Sequence, residues 1–169
     1  MAYLPSKAVA NEILNHSEAF DGFTPFQIQK LTYLAHGFYY ALYGQPLINE
    51  TVEAWKYGPV IPTLYHEFKE WGGNPIKRFA LDFVPATGWF SKPEIPATPN
   101  YNGAKSVIDQ VVNQYGHLST TQLYNLTHEP GGPWDRAYEE GIYGKDIPNE
   151  LIRDHFANWV NDANQSRAV

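Results

Sequence analysis

The amino-acid sequence predicts a mainly α-helical fold, a compact helical domain around a central helix near residues 24–43 with a small β element near 51–57. Two observations favour this class. Apolar residues recur at helical spacing in several windows, whereas the alternation typical of strands is confined to 51–57 and a shorter stretch at 79–84. A chain of 169 residues is long enough to bury one core, so we expect a single domain over residues 1–169.

The composition narrows the classes of function. The sequence contains no cysteine, which excludes disulfides and thiolate chemistry and is compatible with a reducing cytoplasm. A net charge of −6 disfavours sequence-independent binding of nucleic acid and suits a basic partner. The first 20 residues lack a signal-peptide pattern, and no apolar run approaches the ~20 residues of a membrane helix. The 5 Trp, 12 Tyr and 9 Phe supply either a dense core or an aromatic binding surface.

Both ends of the central helix are marked in the sequence, and a short helix over 4–15 is predicted before it. Thr24 is a favoured N-cap, Pro25 occupies the first turn, where no hydrogen bond is lost, and Gln27 completes a capping box. Gly44 follows the last apolar residue, where a left-handed glycine commonly ends a helix. These signals predict one uninterrupted helix between Thr24 and Gly44.

Two different faces run along this predicted helix. One face is apolar, and the opposite face carries aromatic and polar groups at alternating steps of four and three residues. The second face is either a further layer of the core, with its hydroxyls bonded at the edge, or a surface that binds a partner. The first face is formed by Leu31, Leu34, Ala35, Phe38 and Leu42, and the second by Gln29, Tyr33, His36, Tyr40 and Tyr43.

A short strand and a helix are predicted after Gly44. Residues 51–57 alternate, with Val52 and Ala54 on one face, and the pair Gly58–Pro59 is expected to end the strand because proline cannot continue a ladder. Helical spacing resumes over 60–71. The proline-rich segment 74–101 is expected to be a surface excursion that includes the strand at 79–84 and whose apolar residues are covered.

The second half of the sequence predicts four further helices. Apolar spacing indicates a helix over 101–115, and Ser119 with Gln122 forms a second capping box for a helix that ends near Thr127. The string THEPGGPW, residues 127–134, indicates a tight turn before a short helix over 135–140. The last helix is expected to begin near Pro148.

The sequence carries no recognisable catalytic motif. It has no GxSxG, no phosphate-binding loop, no GxGxxG and no pair of histidines at the spacing of a helical zinc site. We therefore expect no catalysis, no cofactor and no metal. One alternative stays open, namely a phage-derived enzyme or metal-binding protein that uses Glu53, His66 and His128. Glu53 and Lys30 carry opposite charges and are a candidate ion pair.

Three strings, taken together and in this order, resemble the Panacea antitoxin domain, the SocA-like family that also includes phage-associated proteins of the GepA type. They are TPFQIQKLTYLAHGFYYALYGQPL (24–47), EAWKYGPVIPTLYHEFK (53–69) and LSTTQLYNLTHEPGGPW (118–134). The resemblance covers about residues 22–160, which we take as the core of the domain, and it is weakest over 74–101. The residues that carry the family pattern are Gln29, Lys30, Leu31, Glu53, Trp55, Pro59, Thr127, His128, Pro133 and Trp134.

Similarity to this family implies an antitoxin of the bacterial cytoplasm, encoded by a bacterium or a prophage. Such a protein neutralises a cognate protein toxin, usually encoded next to it, by direct contact. A variant of this hypothesis is a proteolytic adaptor that hands the toxin to a protease, and self-association is left open. The side chains and backbone expected to bind the toxin are Tyr33, His36, Tyr40, Tyr43, Lys56, Tyr57 and Gly58.

Overall fold

The computed structural model describes residues 3–167, and the fold is mainly α-helical. Within these residues it contains seven α-helices, three short 3-10 turns and two small antiparallel sheets. The helices are α1 (Ser6–Leu14), α2 (Pro25–Tyr43), α3 (Pro62–Phe68), α4 (Asn102–Tyr115), α5 (Thr120–Thr127), α6 (Pro133–Ala137) and α7 (Asn149–Arg167). The strands are β1 (Glu53–Trp55), β2 (Gly58–Val60), β3 (Asp82–Val84), β4 (Trp89–Ser91) and β5 (Lys145–Asp146).

The predicted central helix is confirmed as α2, together with both of its end signals. The Thr24 hydroxyl accepts the Gln27 backbone N–H, and the Gln27 side chain accepts the Thr24 N–H, so the capping box is complete. Gly44 adopts the left-handed conformation with φ 69°. The second predicted capping box, between Ser119 and Gln122 at the start of α5, is also formed.

Helix α2 lies at the centre of the fold because other helices cover most of its circumference. It packs most extensively against α7 and α4, and it also contacts α1, α3 and α5. Phe156 of α7 meets Phe38 and Tyr33 of α2 in edge-to-face geometry, with ring centroids 4.9 and 5.6 Å apart. Gly37 allows this close approach, since a β-carbon there would overlap the Phe156 ring.

The two predicted faces of α2 do not divide into an inner and an outer side. On the apolar face Leu31, Leu34 and Ala35 are buried, but Leu42 is 55% exposed near the helix end. On the other face Tyr33 and His36 are buried as well. Whether a side chain is buried therefore depends on its position along α2, since the middle of the helix is enclosed and its C-terminal turn is not.

The β element predicted near 51–57 is confirmed as β1, which is shorter than expected, but the expected stop at Gly58–Pro59 is wrong. The chain forms a tight hairpin in which Trp55 pairs with Gly58 and Lys56 and Tyr57 make the turn. Pro59 belongs to β2, where it faces Ala54. The sheet order is β2-β1-β5, so β2 is an edge strand, and an edge tolerates the missing N–H of proline.

The segment 74–101 also differs from the prediction. The strand predicted at 79–84 is limited to β3 and pairs with β4 as a separate two-stranded hairpin. Phe83, Trp89 and Phe90 are 56%, 76% and 64% exposed, so the expectation that the apolar side chains of this excursion are covered is wrong for these three. The short helix expected over 135–140 begins earlier, at Pro133, because a proline suits the first helical turn.

Candidate functional site

The three strings that are far apart in the sequence meet at the β1–β2 hairpin. Helix α2 contributes Gln29 and Lys30, the hairpin contributes the backbone from Trp55 to Ile61, and the α5–α6 turn contributes His128 and Trp134. Hydrogen bonds join α2 to the hairpin and the α5–α6 turn to the hairpin. We refer to this assembly as the hairpin site.

Gln29 fixes the start of α3 against α2 through a reciprocal pair of hydrogen bonds. Its side-chain amide donates to the Ile61 carbonyl at 3.0 Å, and its Oε1 accepts the Ile61 N–H at 2.9 Å. The Gln29 side chain is 7% exposed, so both backbone groups are satisfied away from water. This pair sets the distance between α2 and the end of β2.

Lys30 is a buried cation within the hairpin site. Its Nζ donates to the Pro59 carbonyl at 3.0 Å and lies 4.6 Å from the centre of the Phe26 ring. The residue is 1% exposed, and burial lowers the pKa of its ammonium group to about 7. Among residues 3–167 no carboxylate forms an ion pair with it. The predicted pairing of Lys30 with Glu53 is wrong, since Glu53 accepts the Trp55 indole N–H instead.

Gly58 permits the close contact of the hairpin with Lys30 and His128. It has φ 117°, which side-chain-bearing residues rarely adopt. A β-carbon at this position would lie 2.9 Å from Lys30 Nζ and 2.9 Å from His128 Cε1. Glycine is therefore required here both by the backbone conformation and by space.

An aromatic stack anchors the α5–α6 turn to the hairpin. The His128 ring stacks on Tyr124 with centroids 3.7 Å apart and contacts Trp134 at 4.0 Å. The Trp134 indole N–H donates to the Trp55 carbonyl at 2.7 Å. His128 Nδ1 bonds the Tyr124 carbonyl at 2.7 Å, as expected for a histidine that satisfies a turn. Burial lowers the pKa of His128, and the charge of Lys30 lowers it further.

An open cavity of about 420 Å³ lies beside the hairpin, and we call it the hairpin pocket. Lys30 and Gln29 form part of its wall, and the rest is predominantly aromatic. The Trp55 ring packs against Tyr65 at 4.8 Å and Tyr143 at 5.0 Å between centroids. The aromatic residues of the pocket are Phe26, Trp55, Tyr57, Tyr65 and Tyr143.

The rim of the hairpin pocket exposes a large apolar surface. Tyr57 is 63% exposed, Tyr65 42% and Tyr143 80%. Lys56 lies beside Tyr57, with its Nζ 5.6 Å from the ring centre. Two members of the set expected to contact a partner, Lys56 and Tyr57, therefore lie at this rim, whereas Gly58 is buried beneath it.

The other residues expected to bind a partner lie elsewhere. Tyr33 and His36 are in the core instead of on an outer face, because α7 and the segment after α2 cover them. Burial lowers the pKa of His36 to about 4, and its Nδ1 accepts the Leu47 N–H at 3.3 Å. Tyr40 is half-buried and Tyr43 is 51% exposed. With a rise of about 1.5 Å per residue, Tyr43 is roughly 20 Å along α2 from Lys30.

The remaining residues of the family pattern have structural roles. Leu31 is fully buried in the core, and Pro133 is buried in the first turn of α6. The Thr127 hydroxyl donates to the Leu123 carbonyl at 2.9 Å and thereby ties down the last turn of α5. None of these three side chains reaches the rim of the hairpin pocket.

The alternative metal site does not form. Among the described residues, Glu53, His66 and His128 do not come together, since His66 is exposed on α3 while His128 is enclosed in the aromatic stack. The group whose ligand atoms are close enough to hold an ion is Glu12, His16 and Asp109. In that group His16 Nε2 is already 2.9 Å from Asp109 Oδ1.

Sequence reasoning missed three aromatic residues of the hairpin pocket. Phe26 and Tyr65 lie inside the strings quoted above, but helical periodicity does not show which cavity they line. Tyr143 lies in the loop before β5, a strand of two residues that pairs with β1. So short a strand leaves no alternation in the sequence, and the proximity of Tyr143 to Trp55 could be found only in three dimensions.

The fold and the site together define a mainly α-helical domain that presents an aromatic pocket at a β-hairpin. The family model described as Antitoxin SocA-like, Panacea domain matches residues 28–135, which include the hairpin site but not Phe26 and Tyr143 of the hairpin pocket. The chain belongs to this family. It is also 35% identical over 131 residues to Antitoxin SocA of Caulobacter vibrioides (strain NA1000 / CB15N), an alignment that covers 77% of this chain and 68% of that protein.

No solved structure matches the chain. Within residues 3–167, none of the helices combines the length and the apolar character that crossing a bilayer requires.

Proposed function

We propose that this chain is an antitoxin that binds a cognate protein toxin directly, and that the rim of the hairpin pocket is the contact surface. Membership of the SocA-like family supports the antitoxin role. The observation that supports this surface is the cluster of exposed aromatic side chains, Tyr57, Tyr65 and Tyr143, around an open apolar cavity.

Physical chemistry favours this surface as a protein contact. Tyrosine and tryptophan carry much of the binding energy of protein interfaces, because each buries a large apolar area and keeps one polar atom for a hydrogen bond. Tyr57 lies at the turn of a hairpin that hydrogen bonds from Gln29, Lys30 and Trp134 fix to the helices, and Tyr65 lies on α3. A partner therefore meets a pre-organised surface and loses little conformational entropy on binding.

The charge of the chain supports a basic toxin surface. The net charge of −6 attracts a cationic partner at long range and accelerates encounter, while the aromatic contacts provide most of the affinity. Among the described residues that line the hairpin pocket there is no Asp or Glu, so the acidic groups that guide the encounter lie outside the pocket.

Co-expression with the adjacent open reading frame tests the proposal. We expect that the neighbour is toxic alone, that this chain restores growth, and that the two proteins co-purify at a fixed ratio. Tyr57→Ala combined with Tyr143→Ala is expected to abolish rescue and co-purification without lowering the melting temperature. The matched control is Trp89→Ala, which removes an equally exposed aromatic residue from the separate β3–β4 hairpin.

The proposal fails if the double variant still rescues growth, or if it loses rescue together with its folded structure while the control does not. The toxin half-life, measured with and without this chain, separates two mechanisms. An unchanged half-life supports occlusion of the toxin, and a shortened half-life supports delivery to a protease.

A further inference from the structure

The wall of the hairpin pocket contains a buried lysine that no carboxylate in the described part of the chain pairs with. Lys30 is buried, donates to the Pro59 carbonyl, and has no carboxylate partner within residues 3–167. A lysine ammonium has three N–H donors, and a buried cation is costly unless it is paired. The neighbouring His128 and Lys56 supply no negative charge, and the other titratable groups of the pocket lining are the hydroxyls of Tyr57, Tyr65 and Tyr143.

The walls of the same pocket are apolar. Phe26, Trp55 and Tyr65 surround the space next to Lys30, and the cavity of about 420 Å³ is large enough for one bulky side chain together with a small polar group. A ligand that matches both features must place a carboxylate within a few ångströms of a large apolar group. Two separate residues of a folded partner would have to be aligned to achieve this.

A single residue at the carboxyl end of a polypeptide combines both groups on one α-carbon. An internal Asp or Glu carries a carboxylate but no apolar body that could fill an aromatic pocket. We propose that the hairpin pocket binds the C-terminal residue of the toxin, with its apolar side chain against Trp55 and Tyr65 and its carboxylate beside Lys30. This inference rests on the proposed function, because it names the part of the toxin that is recognised.

Charge complementarity gives the interaction its selectivity. In a cavity of low polarity the attraction between a carboxylate and an ammonium group is far stronger than in water. The carboxylate also gives the ammonium group of Lys30 an ionic partner. Burial keeps the pKa of Lys30 near 7 in the free protein, and an adjacent carboxylate raises it. Binding is therefore linked to protonation of Lys30 and is stronger below pH 7 than above it.

Short peptides test this inference on the full chain. The probes are acetyl-Ala-Ala-Phe with a free carboxylate, the same peptide as its C-terminal amide, acetyl-Ala-Glu-Ala amide, and 3-phenylpropionate. Isothermal titration at pH 6.5 gives each affinity, and NMR of labelled lysine side chains gives the pKa of Lys30. We expect the free-acid peptide to bind about tenfold more tightly than its amide and to raise the Lys30 pKa.

Two variants assign the effect to the buried lysine. Lys30→Met keeps the length of the side chain and removes its charge, so it is expected to bind the acid and the amide peptides equally. Lys56→Met removes the rim lysine and is expected to keep the tenfold preference. The melting temperature of each variant shows that it is folded, and binding of the acetyl-Ala-Ala-Phe amide by Lys30→Met shows that its pocket is intact.

Each other result overturns the inference. If the wild-type chain binds the acid and the amide equally, the carboxylate has no role. If it binds acetyl-Ala-Glu-Ala amide as tightly as the free-acid peptide, it does not recognise a chain end. Binding of 3-phenylpropionate as tightly as the peptide identifies a site for small aromatic acids instead. If no probe binds at millimolar concentration, the pocket is not a binding site.

If toxin capture succeeds while these peptides fail, this inference alone is wrong. If the free-acid peptide binds and no toxin is captured, the proposed antitoxin function is wrong.

Discussion

Replacing Lys30 by methionine should change how the stability of this protein depends on pH. Lys30 is buried without an ionic partner in the described residues, and burial lowers its pKa from 10.5 to about 7. In the unfolded chain the amine keeps its proton up to about pH 10.5. Between these two pH values the unfolded state binds one more proton than the folded state, so the free energy of unfolding rises with pH.

The size of this effect follows from the two pKa values. A full proton difference corresponds to about 1.4 kcal/mol per pH unit. From pH 7.5 to 9.5 the wild-type free energy of unfolding should therefore rise by about 2.5 kcal/mol. Lys30→Met removes the titrating group and with it this slope. The variant also leaves the Pro59 carbonyl without its donor, at a cost of about 1–3 kcal/mol, but that cost does not vary with pH.

Urea unfolding followed by tryptophan fluorescence gives the free energy of unfolding as a function of pH, between pH 7.5 and 9.5, for the wild-type protein and for Lys30→Met. The upper limit keeps the tyrosines of the unfolded chain largely protonated, since their ordinary pKa is about 10. The quantity to compare is the difference in slope between the wild-type protein and Lys30→Met. Parallel curves would refute the reasoning, because they would mean that Lys30 has an ordinary pKa and is therefore hydrated or paired in solution.

Three further predictions concern the packing and the hydrogen bonds of the core. Gly37→Ala places a β-carbon into the Phe156 ring, so we expect a net loss of about 1–3 kcal/mol in urea unfolding although alanine favours a helix by ~1 kcal/mol. Wild-type stability should fall by about 3 kcal/mol as the pH drops from 6.5 to 4, because the pKa of buried His36 is lowered to about 4, and His36→Gln should flatten this part of the pH curve. Trp134→Phe removes the donor to the Trp55 carbonyl and should lower the free energy of unfolding by about 1–3 kcal/mol.

Each of these variants has a matched control. Gly103→Ala meets only the hydroxyl end of the exposed Tyr43 side chain, which can move, so it should be neutral or slightly stabilising. His66→Gln makes the same replacement at an exposed histidine of α3 and is the control for His36→Gln. Trp71→Phe removes a buried indole N–H that has no hydrogen-bond partner among residues 3–167, so it should cost less than Trp134→Phe. Equal effects within any pair would show that the named contact is not responsible.

The helices could be predicted from the sequence where their ends carry local signals. Thr24, Gln27 and Gly44 define α2, and the capping box at Ser119 defines the start of α5, because these signals act within a few residues of the chain. The direction of the α2 side chains could not be predicted in the same way. Tyr33 is buried because Phe156 of α7 packs on it, and this contact spans more than a hundred residues of sequence.

The hairpin site was only partly predictable for a related reason. The family pattern identified Lys30, Trp55 and His128, but their spacing does not show that they meet at one hairpin. The Gly58–Pro59 pair was interpreted as the end of a strand, since proline usually interrupts a ladder. Its position on an edge strand removes that restriction, and an edge becomes visible only when the order of the strands is known.

The position of α7 has a consequence for how this chain is made. During translation α2 leaves the ribosome long before α7, so the face of α2 that carries Phe38, on which Tyr115 of α4 also packs, stays only partly covered until Phe156 has been synthesised. Throughout this interval the nascent chain exposes an apolar helix face that chaperones and proteases recognise. A message that is broken before the codon for Asn149 would therefore yield products that cannot close their core and are rapidly degraded. Quality control during synthesis would thus remove incomplete chains before they reach a partner.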